Sequence, residues 1–279
     1  MAGTLYIVAT PIGNLEDVTL RAIRTLKEVD LIAAEDTRHT LKLLNHLEIS
    51  KPMISYYKET EKVKAELLIK KLIEGNNVAL VSDAGTPGIS DPGEEVIKQA
   101  IENEIKIVPI PGACAAISAL VGAGVNTKEF VFLGFLSANK KERKEKLEEN
   151  KNEIRTMVFY EAPHKLLNTL KDIQDILGNR YIVLAKELTK IHEGFVRGKI
   201  QKIIEEYIEP PKGEFVIVVE GAEKGEQEIL QDNLNMLSLE KHYEYYQKQG
   251  KDKKEIVKQI AKDRKVPKNE IYQCFIKYF

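Results

Sequence analysis

Four apolar residues, Val78-Ala79-Leu80-Val81, lead straight into the segment Ser82-Asp83-Ala84-Gly85-Thr86-Pro87-Gly88-Ile89-Ser90-Asp91-Pro92-Gly93. A helical pattern resumes near Glu94. This spacing predicts a buried strand that ends in a long, tightly turned polar loop. Glycines there permit positive φ and let a ligand approach the backbone. A loop of this kind at the carboxyl end of a parallel strand is where open α/β sheets bind ligands. The segment therefore constrains the fold and the position of a site together.

The rest of the chain supports such a sheet. Strands are expected at Leu5–Ala9, Leu31–Ala34, Met53–Tyr56 and Ile107–Ile110, with helices at Thr19–Leu26, Thr37–His46, Lys62–Glu74 and Glu94–Asn103 between them. That alternation predicts a parallel sheet with right-handed crossovers. After the turn Pro111-Gly112-Ala113 comes a small-residue helix, Cys114–Ala123, closed by Gly122 and Gly124. Strands at Phe130–Phe135, Thr156–Tyr160, Tyr181–Ala185, Glu193–Arg197 and Phe215–Val219 then suggest a mixed sheet, with a charged surface helix between Asn139 and Asn152 and another helix at Leu166–Leu177. A linker follows at Gly221–Gly225. Helices at Leu239–Gln249, Lys251–Asp263 and Lys268–Tyr278 resemble a helix-turn-helix unit. The expected organisation is an N-terminal α/β domain over residues 1–118, a second α/β domain over 119–225 and a helical tail over 233–279.

Composition excludes several classes. Of 279 residues, 43% are hydrophobic and 30% charged, as in a water-soluble protein with a sizeable core. No apolar run approaches the roughly 20 residues that span a bilayer. No basic leader precedes the first strand, so a cytoplasmic location is expected. Cys114 and Cys274 are far apart and the five histidines are scattered, so neither a disulfide framework nor a metal motif is expected. The net charge of −1 hides an asymmetry: from Glu240 onward eleven Lys or Arg face six Asp or Glu. A basic tail on a mildly acidic body suits phosphate contact, or simply a solvated helix face.

The candidate chemistry gathers at strand ends. The turn at Thr10-Pro11-Ile12-Gly13-Asn14 is not the GxGxxG of dinucleotide-binding folds. Glu35-Asp36-Thr37-Arg38 places two carboxylates and an arginine at the end of the second strand, where Asp36 serves either as a helix cap paired with Arg38 or in function. Asp83 and Asp91 could bind a metal or cap turns, and Asp91 before Pro92 reads more readily as a helix N-cap with the proline at the first helical position. Tyr160-Glu161-Ala162-Pro163-His164-Lys165 and Lys186-Glu187 end strands of the second sheet and offer groups that could move a proton or bind phosphate.

Six segments in order, at residues 9–14, 34–38, 82–93, 111–116, 159–165 and 186–190, closely resemble the ribosomal-RNA 2′-O-methyltransferases of the tetrapyrrole methylase superfamily. The likeness covers residues 3 to about 222, and the helical tail resembles the C-terminal module of those enzymes. It implies a two-domain α/β class III methyltransferase with a small C-terminal helical module, S-adenosyl-L-methionine as methyl donor, no metal, and homodimerisation. The implied reaction is 2′-O-methylation of a cytidine in the decoding region of 16S ribosomal RNA, acting on the RNA or on the assembled small subunit. On this resemblance the donor site comprises Pro11, Asp83, Ala84, Gly85, Thr86, Gly88, Ala113, Cys114, Ala115 and Tyr160. Asp36 and Glu161 are the candidate proton acceptors, with Arg38, Lys165 and Lys186 for phosphate contacts. A macrocycle C-methyltransferase of the same superfamily and a non-catalytic RNA-binding module are the competing readings. The basic tail and Glu35-Asp36-Thr37-Arg38 weigh against the former, and the cleft motifs against the latter.

Overall fold

The structure, a computed structural model, describes residues 1–206, 213–223 and 234–278, the last four by backbone alone. Two compact units result, Met1–Ala222 and Glu223–Phe279. The expected linker at 221–225 and the tail's start at 233 lie partly outside the described residues.

Five short strands open the larger unit: β1 (Thr4–Val8), β2 (Leu31–Ala34), β3 (Met53–Ser55), β4 (Val78–Val81) and β5 (Lys106–Ile110). They form one sheet in the order β3-β2-β4-β1-β5, parallel throughout. The unbroken apolar run of β4 follows from its central place, since both of its faces are covered. Val78 and Leu80 pack with Leu68 and Leu72 of α3 (Glu61–Ile73) and with Val96 of α4 (Glu94–Glu102). Ala79 and Val81 face Leu26 of α1 (Leu20–Glu28) and Leu44 of α2 (Thr37–His46). Thr19 caps α1 by accepting from Ala22 N at 3.1 Å.

The second sheet runs β6-β7-β10-β8-β9, from β6 (Phe130–Phe135), β7 (Thr156–Glu161), β8 (Tyr181–Lys186), β9 (Gly194–Lys199) and β10 (Phe215–Val219). Only β6 and β7 pair in parallel; the other neighbours are antiparallel, which makes the sheet mixed. Helix α5 (Ala115–Ala123) runs through residue 118 and buries Ala116, Ala119 and Leu120 on Val158, Val183 and Val216 of this sheet. Its left-handed C-cap is Gly124 (φ 75°), while Gly122 stays helical and packs directly on the Phe195 ring. The opposite face is covered by α6 (Lys140–Glu149), α7 (Leu166–Leu177) and α8 (Ile200–Glu206). The last of these helices has no counterpart in the sequence reading.

The small unit holds α9 (Leu239–Gln247), α10 (Lys253–Asp263) and α11 (Lys268–Tyr278). Asp252 and Glu255 form a reciprocal capping box at the start of α10. Its core of Leu234, Tyr246, Ile256, Val257, Ile260 and Ile271 surrounds one buried polar knot. Asp263 Oδ2 accepts from Tyr246 Oη at 2.6 Å and bonds His242 Nε2 at 3.2 Å, and Arg264 Nε donates to His242 Nδ1 at 3.3 Å. Burial, and then the Arg264 charge, lower the histidine's pKa. No helix among the described residues is long and apolar enough to cross a membrane.

Candidate functional site

Because the first sheet is parallel, the carboxyl ends of β1, β2, β4 and β5 share one edge. The loops leaving them are tied together by the backbone. Thr10 N donates to Gly85 O at 2.8 Å, and Gly85 N returns a bond to Thr10 O at 3.1 Å. Gly85 has φ 82°, which any residue with a Cβ would adopt only under strain. Asp83 Oδ1 accepts from Asp36 N, and Glu35 Oε2 from Asp83 N, which clips the end of β2 to the loop after β4.

A cavity of about 600 Å³ opens at this edge and is closed on its other side by the second sheet. Of the residues expected for the donor, Asp83, Ala84, Gly85, Thr86, Cys114, Ala115 and Tyr160 line it, and so does Glu161. Pro11 is buried instead beside a smaller hollow of about 40 Å³ on the other flank of Asp83, and Ile12 takes the place at the main cavity. Gly88 and Ala113 are not among the lining residues, nor are Asp36, Arg38 and Lys186.

The structure revises several roles. Asp36 is the N-cap of α2, accepting from Arg38 N at 2.8 Å, and it pairs with the exposed Arg38 guanidinium at 2.7 Å. Arg38's side chain and then its backbone N–H hold the Asp36 carboxyl well below the usual carboxylate range. Glu161 is almost fully buried and engaged on both oxygens. Thr169 Oγ1 donates to Oε2 at 2.5 Å, while Ala162 N and Lys165 Nζ reach Oε1 at 2.8 and 3.1 Å. Lys165 is thereby tied to Glu161. The expected cap at Asp91 is overturned: the N-cap of α4 is Gly93, and Asp91 lies in the cavity wall. Two further residues separate Asp91 from the first helical position, so its carboxylate does not cap the helix.

Glu35, Asp83 and Asp91 bring three carboxylates to one end of the cavity. Burial, then the Glu35 and Asp83 charges, push Asp91 up to about 6 against a weaker opposing hydrogen bond from Ser82. Burial also raises Glu35. Tyr160 Oη accepts from Ala116 N at 3.2 Å at the start of α5, and burial followed by the neighbouring Cys114 pushes its pKa up to about 12. Cys114 makes no side-chain cap, which leaves first-turn N–H groups of α5 for a ligand or water. The far wall is apolar: Ala185, Leu188, Phe215 and Val216. No group of three or more His, Cys, Asp or Glu among the described residues could hold a metal ion.

Sequence reasoning placed Glu35 in a candidate motif without a role of its own, and did not assign Asp91, Ile89, Phe135 or the Glu214–Val216 segment to the donor or acceptor site. Glu35 carried a usable signal, as the first polar residue after a buried strand. Phe135 carried none.

Two α/β layers with a cavity at the carboxyl ends of the first sheet's strands define a ligand-binding α/β protein built on two sheets. The family model described as Tetrapyrrole (Corrin/Porphyrin) Methylases matches residues 4–204. Ribosomal RNA small subunit methyltransferase I of Halalkalibacterium halodurans is 50% identical over 276 residues, covering 98% of this chain and 94% of that protein. The Bacillus subtilis protein of the same name is 46% identical, with the same coverage. The chain thus belongs to the tetrapyrrole methylase family and, within it, to the ribosomal RNA small subunit methyltransferase I group. Among solved structures, uroporphyrin-III C-methyl transferase from Thermus thermophilus complexed with S-adenyl homocysteine shares the fold. Its TM-score is 0.56 at 17% identity, covering 77% of this chain and 97% of that one.

Proposed function

We propose that this chain is an S-adenosyl-L-methionine-dependent ribosomal RNA methyltransferase. Its acceptor would be the 2′-hydroxyl of a cytidine in the decoding region of 16S RNA, presented by the RNA or the small subunit in the cytoplasm. Nearly full-length similarity, at 50% and 46% identity, to relatives named as small-subunit ribosomal RNA methyltransferases supports methylation of that RNA. The cavity supports it physically. Its volume suits a ligand of this size. Its apolar wall suits an adenosyl group, and the carboxylates of Glu35, Asp83 and Asp91 suit a cationic sulfonium and an ammonium group.

When bound, the donor supplies an electrophilic methyl group. The chain has to orient the two reactants and accept one proton as the new C–O bond forms and the C–S bond breaks. Asp91 suits the proton acceptor best, because it lines the cavity and its proton affinity is raised toward neutrality. Asp36 and Glu161 are held in cap and ion-pair contacts and suit a positioning role. Arg38 and Lys186, with Lys165, remain candidates for phosphate contacts, Arg38 being the most exposed.

Incubation with labelled donor and small ribosomal subunits tests the function. Label in a 2′-O-methylcytidine of 16S RNA is expected. Label in a porphyrinoid but not in RNA would instead establish the C-methyltransferase alternative.

A homodimer belongs to the same proposal. On α5, Ile117 and Val121 lie one turn apart and are 45% and 75% exposed, although the opposite face of the helix is core. Such an apolar face suits a protein partner. Val121→Glu should convert the dimer to a monomer in sedimentation equilibrium; a wild-type protein that sediments as a monomer rules this out.

A further inference from the structure

We infer that the phenyl ring of Phe135 is the platform on which the nucleobase of the acceptor nucleotide stacks, at the mouth of the cavity; this rests on the RNA-methyltransferase reading above. Phe135 ends β6, lines the cavity and is 55% exposed. A large aromatic surface left in water at a ligand site suits a partner with a flat apolar face.

Its aim comes from a backbone irregularity. In β6–β7 pairing, Phe132 opposes Val158, Gly134 opposes Phe159 and Phe135 opposes Tyr160, so Leu133 is an extra residue. Gly134, at φ 63°, takes the left-handed conformation at this bulge. Regular pairing would put Gly134 opposite Tyr160 and send Phe135 to the other face. The bulge instead sets Phe132 and Phe135 on the same face, both against Tyr160. The ring centroids are 4.9 and 5.4 Å from the tyrosine ring, in edge-on geometry. Tyr160 is anchored in turn by the start of α5. The exposed ring is therefore fixed in direction.

The surroundings favour a nucleobase over a purely apolar guest. Lys165 Nζ lies 5.8 Å from the Phe135 centroid, which brings a cation beside the platform. The loop carrying Ile89, Ser90 and Asp91 abuts the bulge: Ser90 Oγ lies 3.5 Å from where a Cβ on Gly134 would sit. Ile89, 45% exposed and also lining the cavity, flanks that contact. An aromatic ring and an aliphatic side chain at one mouth form the kind of slot that holds an unstacked base. Asp91, on the same loop, would then be close to the ribose attached to that base.

Steady-state kinetics on small subunits at saturating donor, with the donor's Kd measured by calorimetry, tests the inference. Phe135→Ala should lower kcat/KM for the RNA substrate by about 10- to 100-fold, mostly through KM, the scale of one lost base-stacking contact. The donor's Kd should stay within about twofold, and Phe135→Trp should keep most of the activity. Unchanged kcat/KM in Phe135→Ala, or a Trp variant as impaired as the Ala variant, overturns the inference. A donor Kd weakened as much as KM also overturns it, since the ring would then serve the donor. All three results leave the function standing; wild-type protein that never labels RNA sinks both.

Discussion

Asparagine at position 91 should cut kcat by about 10²- to 10⁴-fold, the usual scale for removing a general base. The substitution preserves shape and removes the proton-accepting oxygen. Three observations converge on it: Asp91 lines the cavity, it does not cap α4, and it is the carboxylate whose proton affinity is raised to about 6. The sign of the pH dependence follows. A base works only when deprotonated, so activity should rise with pH through about 6 and level off above it. The causes are burial, then Glu35, then Asp83, so Glu35→Gln should move that limb to lower pH. Single-turnover rates and donor Kd separate catalysis from binding. If Asp91→Asn weakens only the donor's Kd and leaves the single-turnover rate intact, Asp91 is a donor-binding residue and the base lies elsewhere.

The largest stability effect is expected far from the cavity, at the Arg143–Asp172 pair. Both side chains are over nine-tenths buried between α6 and α7. Arg143 Nε and Nη2 meet Asp172 Oδ2 at 2.8 and 2.7 Å, and Nη1 donates to Ser137 O and Ala138 O. Helix α6 is otherwise almost entirely charged; Leu147 is its only other buried residue. Its attachment therefore depends on this pair. Asp172→Ala leaves a buried guanidinium without its counter-charge and should cost about 3–5 kcal/mol in urea denaturation. Replacing both partners with apolar residues of similar size should recover much of that loss, because the desolvation penalty disappears with the charges. A loss below about 1 kcal/mol in the single variant would show that water reaches the pair.

Most elements were legible in the sequence because their signals are local. The apolar run of β4, the Asp36 cap and the Gly124 stop each predict an element that the structure contains. Helix α8 was missed, being seven residues long and directly continuous with β9. Asp91 was misread because Asp-Pro-Gly before a helix resembles a cap, whereas the φ of 154° at Gly93 starts the helix two residues later. Arg143 looked like one more charge on a solvated face, since its partner is 29 residues away.

By itself, the sequence determined the β-α order, the glycine-rich loop after β4 and the family to which the motifs belong. These depend on residue periodicity and on backbone freedom at glycine, both readable within a few positions. Tertiary structure decided which groups share the cavity. Strand alternation alone would put Phe135 on the face opposite Phe132, and a single bulge at Gly134 reverses it. Three carboxylates from two loops meet only because β2 and β4 are neighbours in a parallel sheet. Proximity across a sheet, and the burial and neighbouring charges that raise Asp91, are properties of packing in space, which no short stretch of chain encodes.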